Sequence, residues 1–209
     1  VSLSANWDVV SFTLTYSLNG GTLESASQVT YNIETSIELV TATKAGYAFA
    51  GWKVTSTDDV SSWVENTVYG LSDLELGGGH YGNVTLTAEW TANTYTVKFD
   101  NNNGAGQMED QTFTYDVEQA LSENSFTREG YSFIGWNTDA DGNGTAYDNQ
   151  QVVKNLKESG EIVLYAQWKT GQSKYFYYVN KQNLDGSYDA VDFADADIAF
   201  TSRTDDTDK

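Results

Sequence analysis

The stretch GYAFAGW, Gly46–Trp52, recurs as GYSFIGW, Gly130–Trp136, 84 residues further along the chain. In the first copy the aromatics Tyr47, Phe49 and Trp52 alternate around small residues, as expected of a strand whose glycines admit close packing. The sequence on either side repeats with it. VTYNIETSI from Val29 matches FTYDVEQAL from Phe113 at the same spacing, and SFTLTYSLNGG from Ser11 matches TYTVKFDNNNG from Thr94, with Phe12 level with Tyr95. A closing phrase occurs three times, as VSLSANW ending at Trp7, VTLTAEW ending at Trp90 and IVLYAQW ending at Trp168. Self-similarity at a fixed period marks a tandem array rather than one large domain.

The spacing of 84 carries on through Trp63 with Tyr147 and Val68 with Val152, and breaks at the Gly-rich LGGGHYGN of the first copy, so the length difference is expected to be one loop. The organisation that follows is residues 1–10 as the last strand of a preceding repeat plus a linker, 11–91 as the first repeat and 92–170 as the second. Residues 171–209 are a partial third module with an acidic tail.

Within each copy, Phe12, Leu14 and Tyr16, or Tyr95, Val97 and Phe99, alternate as in a half-buried strand. Asn19-Gly20-Gly21 and Asn103-Gly104 are turn signals, because Asn and Gly tolerate positive φ. Asn32 or Asp116 stands where an N-cap would open a short helix over IETSI or VEQAL. The expected fold is α+β and strand-dominated, a grasp-like roll with one short helix per repeat; an all-β sandwich with a helical turn is the alternative.

Composition narrows the function. The 11 Lys and Arg against 30 Asp and Glu give a formal charge of −19, which repels phosphate backbones and anionic membrane surfaces, so nucleic acid is a poor partner. No stretch approaches the ~20 apolar residues of a membrane span, so no membrane insertion is expected in this segment. A signal or anchor would lie outside the sequence. Cysteine is absent, which removes disulfides, thiolate metal sites and thiol nucleophiles. Proline is absent too, for which we have no physical account.

The order of strand, Asn-Gly turn, TY, GYxFxGW and LYAQW resembles the Listeria/Bacteroides repeat, the B-repeat type module of internalin-like surface proteins. The resemblance implies a small ubiquitin-like β-grasp unit, strung in arrays on bacterial surface or secreted proteins and carrying no catalytic residues or cofactor. The chain departs from that pattern in lacking the prolines before GYxF, where it has TATKAGY and FTREGY. Further on, YFYYVNKQNLDGSY from Tyr175 resembles the opening hairpin of mucin-binding-protein type modules.

Candidate sites are few. Asp139, Asp141 and Asn143 in DADGNGTAYDNQ fit the first half of a calcium loop, but its twelfth position is Gln150 rather than a bidentate Glu, and the same residue types are ordinary turn formers. His80 is the only histidine, which with no Cys rules out a closed zinc site and suggests an exposed loop residue. The recurring Trp52, Trp90, Trp136 and Trp168 are expected in cores. The unmatched His80 and Tyr81, with Tyr175 and Tyr177 in YFYY, form the possible interaction surface. The expected function is an extracellular stalk or spacer that also contacts a host or neighbouring cell-surface protein or glycan. A carbohydrate-binding module, or an accessory region of a secreted enzyme, is the alternative. Only four residues separate Trp7 from Phe12 and Trp90 from Tyr95, so neighbouring repeats should keep a restricted orientation.

Overall fold

A computed structural model describes residues 2–171, together with the backbone of Lys181–Gln182 and Tyr188–Asp189. The alternation in FTLTYS sets β1 (Phe12–Ser17), which turns Leu14 into the core and Thr13 and Thr15 to solvent. It is joined by β2 (Thr30–Tyr31), β3 (Tyr47–Thr57), β4 (Val68–Tyr69) and β5 (Val84–Ala92) in the order β2-β1-β5-β3-β4. β1 and β5 are parallel and the other pairs antiparallel. Parallel neighbours need a long crossover, and the whole middle of the repeat supplies it.

The second repeat has β6 (Thr94–Asp100), β7 (Gln111–Thr114), β8 (Tyr131–Asn137), β9 (Ala146–Tyr147) and β10 (Gly160–Thr170), ordered β7-β6-β10-β8-β9 with β6 and β10 parallel. The two GYxFxGW strands, β3 and β8, therefore hold the same place. In a regular strand Phe49 and Trp52, three apart, would face opposite sides. A β-bulge between Phe49 and Gly51 puts both on the core face, with ring centroids 5.2 Å apart. The same bulge between Phe133 and Gly135 brings Phe133 to 4.9 Å from Trp136. Glycine is required at the bulge: Gly51 and Gly135 have φ of +135° and +137°, and a Cβ on Gly135 would stand 2.8 Å from the Tyr147 carbonyl oxygen.

The expected helix is absent from both repeats, so the helical grasp-like roll is corrected to an all-strand unit. Among the described residues the one helical element is the 3-10 turn Leu71–Asp73. The capping chemistry at Asn32 is present, its side chain accepting from the Glu34 amide at 2.9 Å, but it closes a single turn. The chain then extends as Ile37–Glu38, which pairs with Glu75–Leu76. In the second repeat Asp116 is left-handed, with φ +63°, and Gln119–Ala120 pairs with Val152–Val153. A five-residue helix barely repays its nucleation, and burying Ile37 and Leu39, or Leu121, in extended form wins.

Each repeat has its own core. The first gathers Leu14, Tyr31, Trp52, Trp63 and Leu86; the second Tyr95, Val97, Phe113, Trp136 and Leu164. Trp90 and Trp168 pack on these cores half-buried, their indole N–H groups donating to the carbonyls of Leu18 and Asn101 at 3.2 and 2.9 Å.

Strand pairing corrects two sequence matches. Tyr69 pairs with Trp52 as Tyr147 pairs with Trp136, so an offset of 84 at Trp52 becomes 78 at Tyr69. The first repeat's six extra residues thus lie before β4, around Trp63, and not in the Gly-rich loop. Tyr31 pairs with Phe12 as Phe113 pairs with Tyr95, so Phe113, not Tyr115, is the equivalent of Tyr31. Beyond Thr170 the chain separates into a second unit, Gly171–Lys209, in which Lys181–Gln182 pairs antiparallel with Tyr188–Asp189.

Candidate functional site

The two-residue slip that puts Phe113 in the core leaves Tyr115 outside it, and Tyr115 makes the joint between the repeats. β5 and β6 are separated by Asn93 alone, whose amide donates to the Gly46 carbonyl and whose carbonyl accepts from the Tyr115 amide, at 2.9 and 2.8 Å. The Tyr115 ring lies edge-on to Tyr47 at 5.7 Å and covers Gly46, where a Cβ would stand only 2.2 Å from the nearest ring carbon. Gly46, with φ +76°, is buried by this contact. The Tyr47 hydroxyl donates to the Asp116 carboxylate at 2.7 Å, and the Lys44 ammonium sits 4.2 Å over the Tyr47 ring.

Asp116 is held from its own side as well. Its amide donates to the Asn155 side chain at 2.6 Å, the Asn155 amide group donates back at 2.7 Å, and Lys154 lies 3.7 Å away. These donors, Tyr47 foremost, hold the Asp116 carboxyl below the usual carboxylate range, and the same bond raises the Tyr47 phenol. A residue-level tongue, Lys44-Ala45-Gly46-Tyr47, is thus seated in a socket built on Tyr115 and Asp116.

The surface of the first repeat that corresponds to this socket is an open, largely apolar groove of about 480 Å³, lined by Trp7, Val9, Val10, Phe12, Ile33 and Tyr81 together with the acidic Asp8 and Glu34. Trp7 is 89 % exposed, although Trp90 and Trp168 in the matching phrase rest on their repeats, and Ser2–Ser11 form no paired strand.

The sequence-derived candidates divide. Trp63, carried by the six extra residues, is fully buried, donates to the Tyr31 hydroxyl at 2.7 Å and packs against His80 at 4.6 Å. Tyr31 in turn donates to the Gly82 carbonyl. His80 is therefore half-buried against the core rather than an exposed loop residue, and Tyr81, bonded to Ser61 and Ser62 at 2.6 and 2.7 Å, forms part of the groove wall.

At the proposed calcium loop both Asp141 carboxylate oxygens are engaged by Asn143, at 3.2 and 2.8 Å, which lowers the carboxyl pKa. Asn143 spends its side-chain amide on that turn, and the Asp139 amide is tied to Asn137 at 2.9 Å. Among the described residues no three His, Asp or Glu side chains gather in a metal-binding cluster. Tyr175 and Tyr177 lie outside the described residues. Sequence reading missed the joint residues, because VTYN and FTYD share a dipeptide without sharing a register.

The comparisons agree with the two-repeat organisation. The model of the Listeria-Bacteroides repeat domain matches residues 12–76 and again 95–167, most of the chain. A protein of Evansella cellulosilytica named only as a membrane protein is 31 % identical over 175 residues, covering 82 % of this chain and 24 % of its own length. Internalin H of Listeria monocytogenes is 34 % identical over 128 residues, 60 % of this chain and 20 % of its own length. The chain thus spans about a quarter or less of these relatives. The two family-model matches do not extend to the part likened to mucin-binding modules, which gains no support from them. With its paired closing phrases, bulged GYxFxGW strands and both model matches, the chain belongs to the Listeria-Bacteroides repeat family.

Proposed function

We propose that the chain is a non-catalytic, extracellular spacer of a bacterial surface protein, a run of small units joined in fixed orientation to hold other parts of the parent away from the cell. The observation that carries this reading is the joint itself. One intervening residue, a buried glycine and the Tyr47–Asp116 hydrogen bond restrict rotation between the repeats, where a free linker would need many more residues. Residues 1–10, which carry the exposed Trp7 of the closing phrase, end a preceding repeat on this reading. The −19 charge keeps such an array soluble and self-repelling. Small-angle scattering of the chain tests it: an extended pair-distance distribution with a long tail is expected, and a compact profile from side-by-side repeats overturns it.

An adhesive role, with a host or neighbouring surface protein as partner, is favoured by the groove at Trp7 and Ile33, which leaves an apolar surface open to solvent. Glycan binding and service to a secreted enzyme lack an observation of this kind.

A further inference from the structure

Each repeat begins and ends on neighbouring strands. The first and the last run parallel and side by side: β1 lies along β5 with Leu14–Ser17 level with Val84–Thr87, and β6 lies along β10 with Tyr95–Asp100 level with Gly160–Tyr165. On the spacer reading, a pull along the array enters a repeat at the start of its first strand and leaves at the end of its last. In a parallel pair those two points lie at opposite ends of an evenly spaced ladder. The pull therefore slides one strand past the other and stretches all the rungs together. A pull on two adjacent ends would open them one at a time.

A second tie spans the same pair in both repeats. Trp90, in the last strand, donates its indole N–H to the Leu18 carbonyl just beyond the first strand, and Trp168 donates to the Asn101 carbonyl in the same way, at 3.2 and 2.9 Å. Each ring lies over a turn glycine, Gly21 or Gly104, where a side chain would collide with it. Register places both Trp residues further along the ladder than the carbonyls they hold. Sliding the first strand towards its own N-terminus draws the turn away from the Trp, so the tie is strained together with the rungs.

We propose that each repeat is a clamp against tension, with the ladder between first and last strands resisting the pull and the closing Trp latching its far end. The array is then a tether that stays folded when the parent protein is pulled, beyond setting a distance. This inference rests on the spacer reading for the direction of the pull.

The chain contains no Cys, so pairs of introduced cysteines fix the pulling points for single-molecule force measurements on the full chain. Thr94→Cys with Thr170→Cys strains the second repeat as the array would. Thr94→Cys with Ser159→Cys pulls the adjacent ends of the same two strands, and all three positions are exposed. Either geometry releases a step of roughly 200–250 Å, so like events are compared. Unfolding force reports the barrier rather than the equilibrium stability, and it is expected to be at least about twofold higher for the Thr94 and Thr170 pair. Trp168→Phe, which keeps a ring and loses the N–H, should lower that force and leave the force for the Thr94 and Ser159 pair unchanged. Equal forces in the two geometries overturn the clamp, and a Trp168→Phe chain weakened equally in both, or in neither, overturns the latch. The spacer reading is tested by scattering instead, and a compact profile would leave the ratio of forces untouched, so the two fail separately.

Discussion

Replacing Gly46 with alanine, alongside the same change at Gly130, isolates what the joint contributes. The two glycines share a turn and a φ, +76° and +75°, so the backbone penalty is common to both. Placing a Cβ in the left-handed region costs roughly 1–2 kcal/mol. At Gly130 nothing else is expected, because among the described residues no atom lies within 4 Å of its Cβ. At Gly46 the methyl group clashes with the Tyr115 ring, so either the ring is expelled or the strands separate, an overpacking cost of about 1–3 kcal/mol more. For a repeat of this size 1 kcal/mol moves the melting temperature by roughly 4–8 °C. Calorimetry should therefore show a markedly larger drop for Gly46→Ala, and one that also shifts the second repeat, where Tyr115 resides. Scattering should show a wider spread of inter-repeat distances for that variant alone. Equal drops, with unchanged scattering in both, would refute the claim that Tyr115 locks the joint.

Further outcomes follow from the cores and the titrating groups. Trp63→Ala should cost the first repeat roughly 3–5 kcal/mol and release the loop that holds His80 and Tyr81, read as faster amide exchange at 78–83, while the second repeat keeps its melting temperature. Tyr16 buries a hydroxyl with no partner among the described residues, and burial pushes its pKa up to about 12. A phenol whose folded pKa lies above its unfolded value ionises first in the unfolded chain, so the stability it contributes is present below pH 10 and lost as pH rises towards 12. Tyr16→Phe, which reproduces the second repeat's Phe99, should flatten that alkaline loss and leave stability at neutral pH unchanged or higher; a steeper alkaline loss in the variant would count against it. Asp116 titrates the other way: its lowered pKa means the joint is intact above the ordinary carboxylate range and opens as pH falls through the lowered value. Tyr47→Phe should shift the pH at which inter-repeat distances broaden upward, and no shift would discount the hydrogen bond.

Much of the fold was legible because period and turn chemistry report local geometry directly. FTLTYS and TYTVKFD became strands with the alternation they show, and GYxFxGW became a strand in both copies. The helix failed for a physical reason. Asn32 offers a genuine cap, but cap and propensity act over one turn, and the pairing of Ile37–Glu38 with Glu75–Leu76 depends on residues nearly forty positions away. Local signals cannot weigh a competitor that distant. The bulge illustrates the converse, since an aromatic spacing of three inside a strand, with a glycine before the second aromatic, is readable as a change of face.

The joint escaped the sequence because matching letters and matching registers are different things. VTYN and FTYD align on their shared TY, which places Tyr115 level with Tyr31. Pairing instead slides the second copy by two, a shift that preserves which face each side chain takes, so hydrophobic patterning cannot detect it. What it changes is which aromatic lies in the core and which extends past the end of the sheet. Phe113 fills the core without needing a hydroxyl acceptor, and Tyr115 with Asp116 is thereby released to grip the neighbouring repeat. In the first repeat the same two positions carry Ile33 and Glu34, so the pair that builds the internal joint and the pair that faces the open groove occupy one structural position with related chemistry. A repeat can therefore change its partner by changing two residues beyond a short edge strand, leaving its core untouched, and the specificity of the array is written outside the phrases that make the array recognisable.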